Sequence, residues 1–99
     1  MLIIEKNLET IKAICKKHKV AHLFAFGSVL TKRFSSSSDV DLLVDFKNVE
    51  LYDYADNYFD LKQSLEHLFN REVDLLEDSA IQNPFLRQSI DANKYLIYG

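Results

Sequence analysis

Apolar side chains recur at helical spacing near the start of the chain, at Leu8, Ile11, Ile14 and Cys15. This stripe predicts a helix over residues 5–19. The pattern then changes to an unbroken apolar run, Val20 to Phe26, stopped by Gly27, which reads as a largely buried strand. Ser28 to Phe34 suits a short helix with Ser28 near its start. The four serines from Ser35 to Ser38 compete for backbone hydrogen bonds and read as a connecting loop. Val40 to Phe46 is a second strand. Leu51 to Asn70 is the longest helix, with a broad apolar face at Leu51, Tyr54, Ala55, Tyr58, Phe59, Leu61, Leu65, Leu68 and Phe69. Residues 71–77 form a third strand. Asn83-Pro84 resembles a helix start, with Asn83 as the cap, and the helix runs through Leu86, Ile90 and Ala92. Lys94 to Tyr98 closes the chain as a short strand.

That order predicts an α/β (α+β) fold with a small mixed sheet of about four strands packed against helices. No linker or repeat divides the 99 residues, so one domain over 1–99 is expected. Hydrophobic residues make up 47% of the chain, enough for a real core, and only two Gly and one Pro interrupt it. The single cysteine leaves no internal disulfide to form and suits a reducing cytoplasm. It sits in the apolar stripe, where a buried, inert thiol is expected. The opening MLIIEKNLET is broken by charge too early for a signal peptide, and no later run could span a membrane. Histidines 18, 22 and 67 show no metal-ligand spacing.

Charge narrows the function. The net charge is -3, and Lys16-Lys17-His18-Lys19 falls at a predicted helix C-terminus, where cations favour the dipole. It reads as a solvated helix end and not as a nucleic-acid patch. An acidic protein that binds a polyphosphate needs cations to bridge the two.

The candidate chemistry lies between Leu23 and Phe46. Asp39 and Asp41 alternate along a strand and so project to one face, roughly 7 Å apart, while Val40 and Leu42 face the other way. Asp74 leads the third strand in a matching context, VDLLE against VDLLV. If those strands are neighbours, three carboxylates meet on one patch. At about 6 Å and an effective dielectric near 20, each pair repels by roughly 3 kcal/mol. Divalent cations would relieve this, and Mg2+ is the hard ion that carboxylates and phosphates share. Gly27 lets the backbone approach a phosphate, and Ser28 and the helix N-terminus behind it add donors. By spacing alone, aspartates solvated at a strand edge remain an equal alternative.

The combination FGS, ten residues, SDVDLLV and a later VDLL strand resembles the nucleotidyltransferase superfamily related to DNA polymerase beta. The short length and the ending NPFLRQSIDANKYLIYG look like its minimal members, the MntA-type antitoxins paired with HEPN-domain toxins. The resemblance implies transfer of AMP from ATP to a hydroxyl, in MntA-type proteins a tyrosine of the HEPN toxin, within a hetero-oligomer. It implies that Asp39, Asp41 and Asp74 are the catalytic metal-binding set for Mg2+, with two ions. It gives Asp74 a part in deprotonating the acceptor, and makes Gly27 and Ser28 the phosphate-holding turn. Where many relatives carry Ala-Arg-Gly after the turn, this chain has Leu30-Thr31-Lys32; Lys32 or Arg33 could supply the missing charge one turn along, but neither has to. Arg87 is a further candidate for a phosphate or partner contact, with a plain surface arginine as its alternative. Two other functions stay open: an antitoxin that acts by occlusion alone, and nucleotidyl transfer to a small molecule.

Overall fold

In the computed structural model, which describes residues 2–99, the elements follow in the order α1 (Leu2–Glu5), α2 (Leu8–Lys17), β1 (Val20–Phe26), β2 (Val40–Phe46), α3 (Leu51–Phe69), β3 (Val73–Glu77), α4 (Pro84–Asn93) and β4 (Tyr95–Tyr98). Single 3-10 turns at Gly27–Leu30 and Asp78–Ala80 follow β1 and β3. The four strands make one mixed sheet in the order β3-β2-β1-β4. β1 runs antiparallel to both β2 and β4, whereas β2 and β3 are parallel. The parallel pair needs a crossover, and α3 supplies it.

Strand periodicity divides the sheet into two faces. Val40, Leu42 and Val44 of β2, Leu23 and Ala25 of β1, and Val73 and Leu75 of β3 are buried. They share one cluster with Ile11 and Cys15 of α2 and Leu61, Leu65 and Phe69 of α3. A register shift in β1 between Val20 and His22 returns Val20 to the buried side although it lies an odd number of residues from Leu23. Leu43 and Ile90 are buried outside that cluster.

The predicted helix over 5–19 is two helices. The break falls at Asn7, whose side chain donates to the Ile3 carbonyl at 2.8 Å and takes the backbone out of the helical path. His18 is also not part of a solvated helix end. Lys16, Lys17 and Lys19 are exposed, but His18 is 3% exposed. Its Nδ1 lies 2.7 Å from the Ile14 carbonyl and its Nε2 2.9 Å from Asp60 Oδ2, tying α2 to α3. Asn57 Nδ2 adds a bond to the His18 carbonyl. The helix ends here because Lys19 turns left-handed, with φ 58°.

On α3 the apolar face is narrower than its composition suggests. Leu61, Leu65 and Phe69 are buried, but Leu51 is 92% exposed, and Ala55 and Phe59 are exposed too. The helix has 19 residues and is about 28 Å long, whereas the five residues of β3 span about 17 Å. Its N-terminal half therefore has little sheet to cover. There Tyr54 and Tyr58 are half-buried, the first donating to Glu77 Oε2 at 2.6 Å and the second to the Leu75 carbonyl. Asn70 ends α3 in a left-handed cap, with φ 54°. At α4 the expected cap is present: Asn83 Oδ1 accepts from the Phe85 and Leu86 amides. Among the described residues, no helix is long and apolar enough to cross a membrane.

Burial pushes the Cys15 thiol up to about 12. We expect Cys15 to resist a thiol-specific disulfide reagent at pH 8 in the native protein and to give one full equivalent in denaturant. Replacing His18 by Ala removes both ring contacts and leaves Asp60 without its partner. The expected loss is about 2–3 kcal/mol in urea unfolding, with little effect on the strands.

Candidate functional site

Parallel pairing of β2 with β3 puts Asp41 directly opposite Asp74. Partners in adjacent strands lie on the same face, about 4.8 Å apart along the hydrogen-bonding direction. Because Val40, Leu42, Val73 and Leu75 take the core face, both aspartates must take the other. Asp39 stands just before β2, exposed, and lines a hollow of about 310 Å³ with Asp74, Lys62, Glu66, Glu72 and Val73. Burial pushes the Asp41 carboxyl above its ordinary range, and the charges of Asp74 and Asp39 push it further. The Ser28 backbone N–H, hydrogen-bonded to Asp41, pulls the other way.

Gly27 fits against that carboxylate. Its φ is +70°, and a Cβ there would run into Asp41 Oδ2, so a side chain is excluded twice over. Glycine thus brings the chain reversal after β1 into contact with the acid on β2. The segment behind it departs from expectation. Instead of a helix over Ser28–Phe34 there is one 3-10 turn, Gly27–Leu30, closed by Thr31, whose N–H and Oγ1 both donate to the Ser28 carbonyl at 2.9 Å. Thr31 is extended, with φ -122° and ψ 166°. The hydroxyl offers the backbone a bond that competes with helix continuation. Only a single short turn, and not a regular helix, stands behind Ser28.

The basic candidates lie elsewhere. Lys32 lines a separate hollow with Lys6, Phe34 and Arg71, and Arg33 is exposed. Arg87 is engaged by Asp78, through its carboxylate at 2.7 Å and its carbonyl at 2.6 Å, and lies 3.5 Å from Asp91. It braces α4 against the turn after β3. Sequence reasoning missed Lys62, Glu66 and Glu72 in the wall of the acidic hollow. The i,i+4 spacing of Lys62 and Glu66 on α3 was the available signal. Glu66 is already occupied, since its Oε2 accepts from the Val73 amide at 3.0 Å.

Whether the three aspartates fit a divalent cation can be tested on this geometry. All the available donors are oxygens, the chemistry that hard cations require. Asp41 carries the raised proton affinity of a carboxylate that is desolvated by burial and crowded by like charge. Among the described residues, however, no group of three or more His, Cys, Asp or Glu side chains could hold an ion as it stands. The fit is one of donor chemistry and strand register, without a preformed cage.

The family described as Polymerase beta, Nucleotidyltransferase matches residues 9–99. A protein of Methanocaldococcus jannaschii, provisionally named a protein adenylyltransferase, is 36% identical over 101 aligned positions, covering 94% of this chain and 98% of its own length. A second from the same organism, named likewise, is 32% identical with the same coverage. A solved structure described as a minimal nucleotidyltransferase superposes with a TM-score of 0.77 at 26% identity, covering 93% of this chain and 90% of that one. A chain of a Shewanella oneidensis complex, tri-AMPylated HEPN toxin with MNT antitoxin, superposes with a TM-score of 0.66. It covers 96% of this chain and 71% of its own, and at 18% identity it is a likeness of fold. Matched from residue 9 to its last, and with relatives aligned over nearly their full length, the chain belongs to the polymerase beta-type nucleotidyltransferases, enzymes that transfer a nucleotidyl group.

Proposed function

We propose that this chain is a Mg2+-dependent adenylyltransferase that moves AMP from ATP to a tyrosine of a cognate HEPN-domain toxin and so acts as an antitoxin in the cytoplasm. The observation that carries the reading is the pairing of Asp41 with Asp74, with Asp39 at the same edge and the bare α-carbon of Gly27 against Asp41. The names of the relatives support AMP transfer to a protein. The Shewanella complex supports a toxin as acceptor, and a further toxin–antitoxin structure of this fold, described with AMP-PNP, supports ATP as donor.

In this reading Asp39, Asp41 and Asp74 are the ligands. Two Mg2+ ions held there would neutralise the three carboxylates and polarise the phosphate under attack. The Ser28 N–H fixes Asp41, which leaves its hydroxyl for a phosphate oxygen, and Gly27 keeps the backbone low enough for the phosphates to approach. The acceptor's phenolic oxygen bonds to the α-phosphorus. The bond from that phosphorus to the α,β-bridging oxygen breaks, pyrophosphate leaves, and Asp74 takes the phenolic proton. No histidine or thiol is required. His22 is turned to Asp45, and Cys15 is in the core.

Large apolar side chains stand in solvent at Leu51, Tyr52 and Phe59 on α3, Phe85 on α4, and Tyr95 and Leu96 on β4. They support a partner that covers this chain, and they favour a second reading in which covering the toxin is sufficient by itself.

Incubation with Mg-ATP and the co-expressed HEPN partner is expected to add the mass of AMP to the partner, read by intact-protein mass spectrometry. D39A/D41A is expected to add none. Labelling that persists in this variant would overturn the ion-ligand assignment. If D39A/D41A still protects cells from the toxin at normal expression, occlusion is the mechanism. Gly27→Ala is expected to cut transfer at least about a hundredfold. It should also cost about 1–2 kcal/mol of stability, because alanine is strained at this left-handed φ.

A further inference from the structure

Arg71 stands between α3 and β3, three residues before Asp74. Its Nη1 donates to two carbonyls of the serine loop, Ser35 at 2.8 Å and Ser38 at 3.1 Å. Its guanidinium carbon lies 4.6 Å from the centroid of the Phe34 ring, which begins the same loop. One residue on, the Glu72 carbonyl accepts from the Val40 amide at 3.1 Å. Residues 71 and 72 thus hold the loop at its start, at Ser38 and at Val40. Asp39 is the residue enclosed between the last two holds.

We infer that Arg71 is a positioning residue for the transfer reaction: it latches the serine loop, and Asp39 with it, to the turn that delivers Asp74. The inference rests on the reading of Asp39, Asp41 and Asp74 as ion ligands. The loop needs such a latch. Ser35 to Ser38 place no apolar side chain in the core, and their mutual bonds are local: Ser35 Oγ with Ser37 and Ser38 Oγ at 3.1 and 3.2 Å, the Ser35 N–H to Ser38 Oγ at 3.1 Å, and the Ser38 N–H to the Ser35 carbonyl at 3.1 Å. Without an external anchor, backbone freedom would spread Asp39 over many positions. Arginine suits the task because its planar group can stack on an aromatic ring while its N–H groups reach carbonyls in the same plane. The chain also accepts a drawback: Arg71 Nε is buried without an acceptor. A donor left that way disfavours folding.

Two variants test the assignment. R71M keeps an apolar stem beside Phe34 and removes the donors, and R71K restores a charge without the planar fork. Hydrogen–deuterium exchange in the segment 34–41 is expected to quicken at least about tenfold in R71M, with α2 and β1 unchanged. Mn2+ affinity, measured by electron paramagnetic resonance with a non-hydrolysable ATP analogue, is expected to fall about tenfold. Turnover should drop about ten- to a hundredfold while KM for ATP stays within about twofold, and R71K should lie between. Unchanged exchange and unchanged Mn2+ affinity in folded R71M overturn the inference. If R71M does not fold, the same measurements on R71K decide. If the wild-type protein binds no Mn2+ at all, the ligand reading of the aspartates fails. Faster exchange in R71M would then leave Arg71 as a loop latch without the proposed role.

Discussion

A single register carries this molecule. When β2 and β3 align in parallel with Val40 beside Val73 and Leu42 beside Leu75, Asp41 has no position but opposite Asp74. Hydrophobic burial on one face holds like charges together on the other. Fully burying a valine or leucine is worth about 1.5–3 kcal/mol, and several such side chains share the core face of these two strands. Repulsion between two carboxylates near the surface is of similar size for a single pair. The sheet can therefore hold an arrangement of charge that the acids would not adopt alone.

What the sequence made legible followed from that same periodicity. The alternation of VDLLV and VDLLE gave both the buried positions and the acids, and the Asn83-Pro84 pair marked the start of α4 through cap chemistry that depends only on neighbouring residues. What it did not show depended on partners far along the chain. His18 sits in a basic run that reads as a solvated helix end, and its burial depends on Asp60, 42 residues away. The turn after Gly27 is a separate case, ended by a local bond, since Thr31 Oγ1 donates to the Ser28 carbonyl three residues back, which apolar periodicity does not register. On α3, Leu51 and Phe59 belonged to the apolar stripe by composition but extend past the sheet that could have buried them.

The site is similarly divided between local and distant contributions. Gly27, Ser28, Asp39 and Asp41 arrive within one β-turn-β segment and could be recognised together. The walls of the acidic hollow come from α3 and the turn that follows it, and the basic residues expected near the phosphates do not face that hollow. Asp78 takes up Arg87, and Lys32 shares its hollow with Arg71. The basic side chain that does line the acidic hollow is Lys62, from α3, while Lys32 and Arg87 stand away from it.

The crossover between β2 and β3 has a consequence for the order of assembly. β1 and β2 are neighbours in sequence and pair antiparallel, so Gly27 can meet Asp41 by closing only a short loop. Asp74 joins them only after residues 47–72, including all of α3, have been folded across the sheet. Closing that longer segment is the slower, more costly contact. A chain that has not yet placed β3 has Gly27 against Asp41 but lacks Asp74 beside it, so the like charges meet only when Val73 and Leu75 join the core.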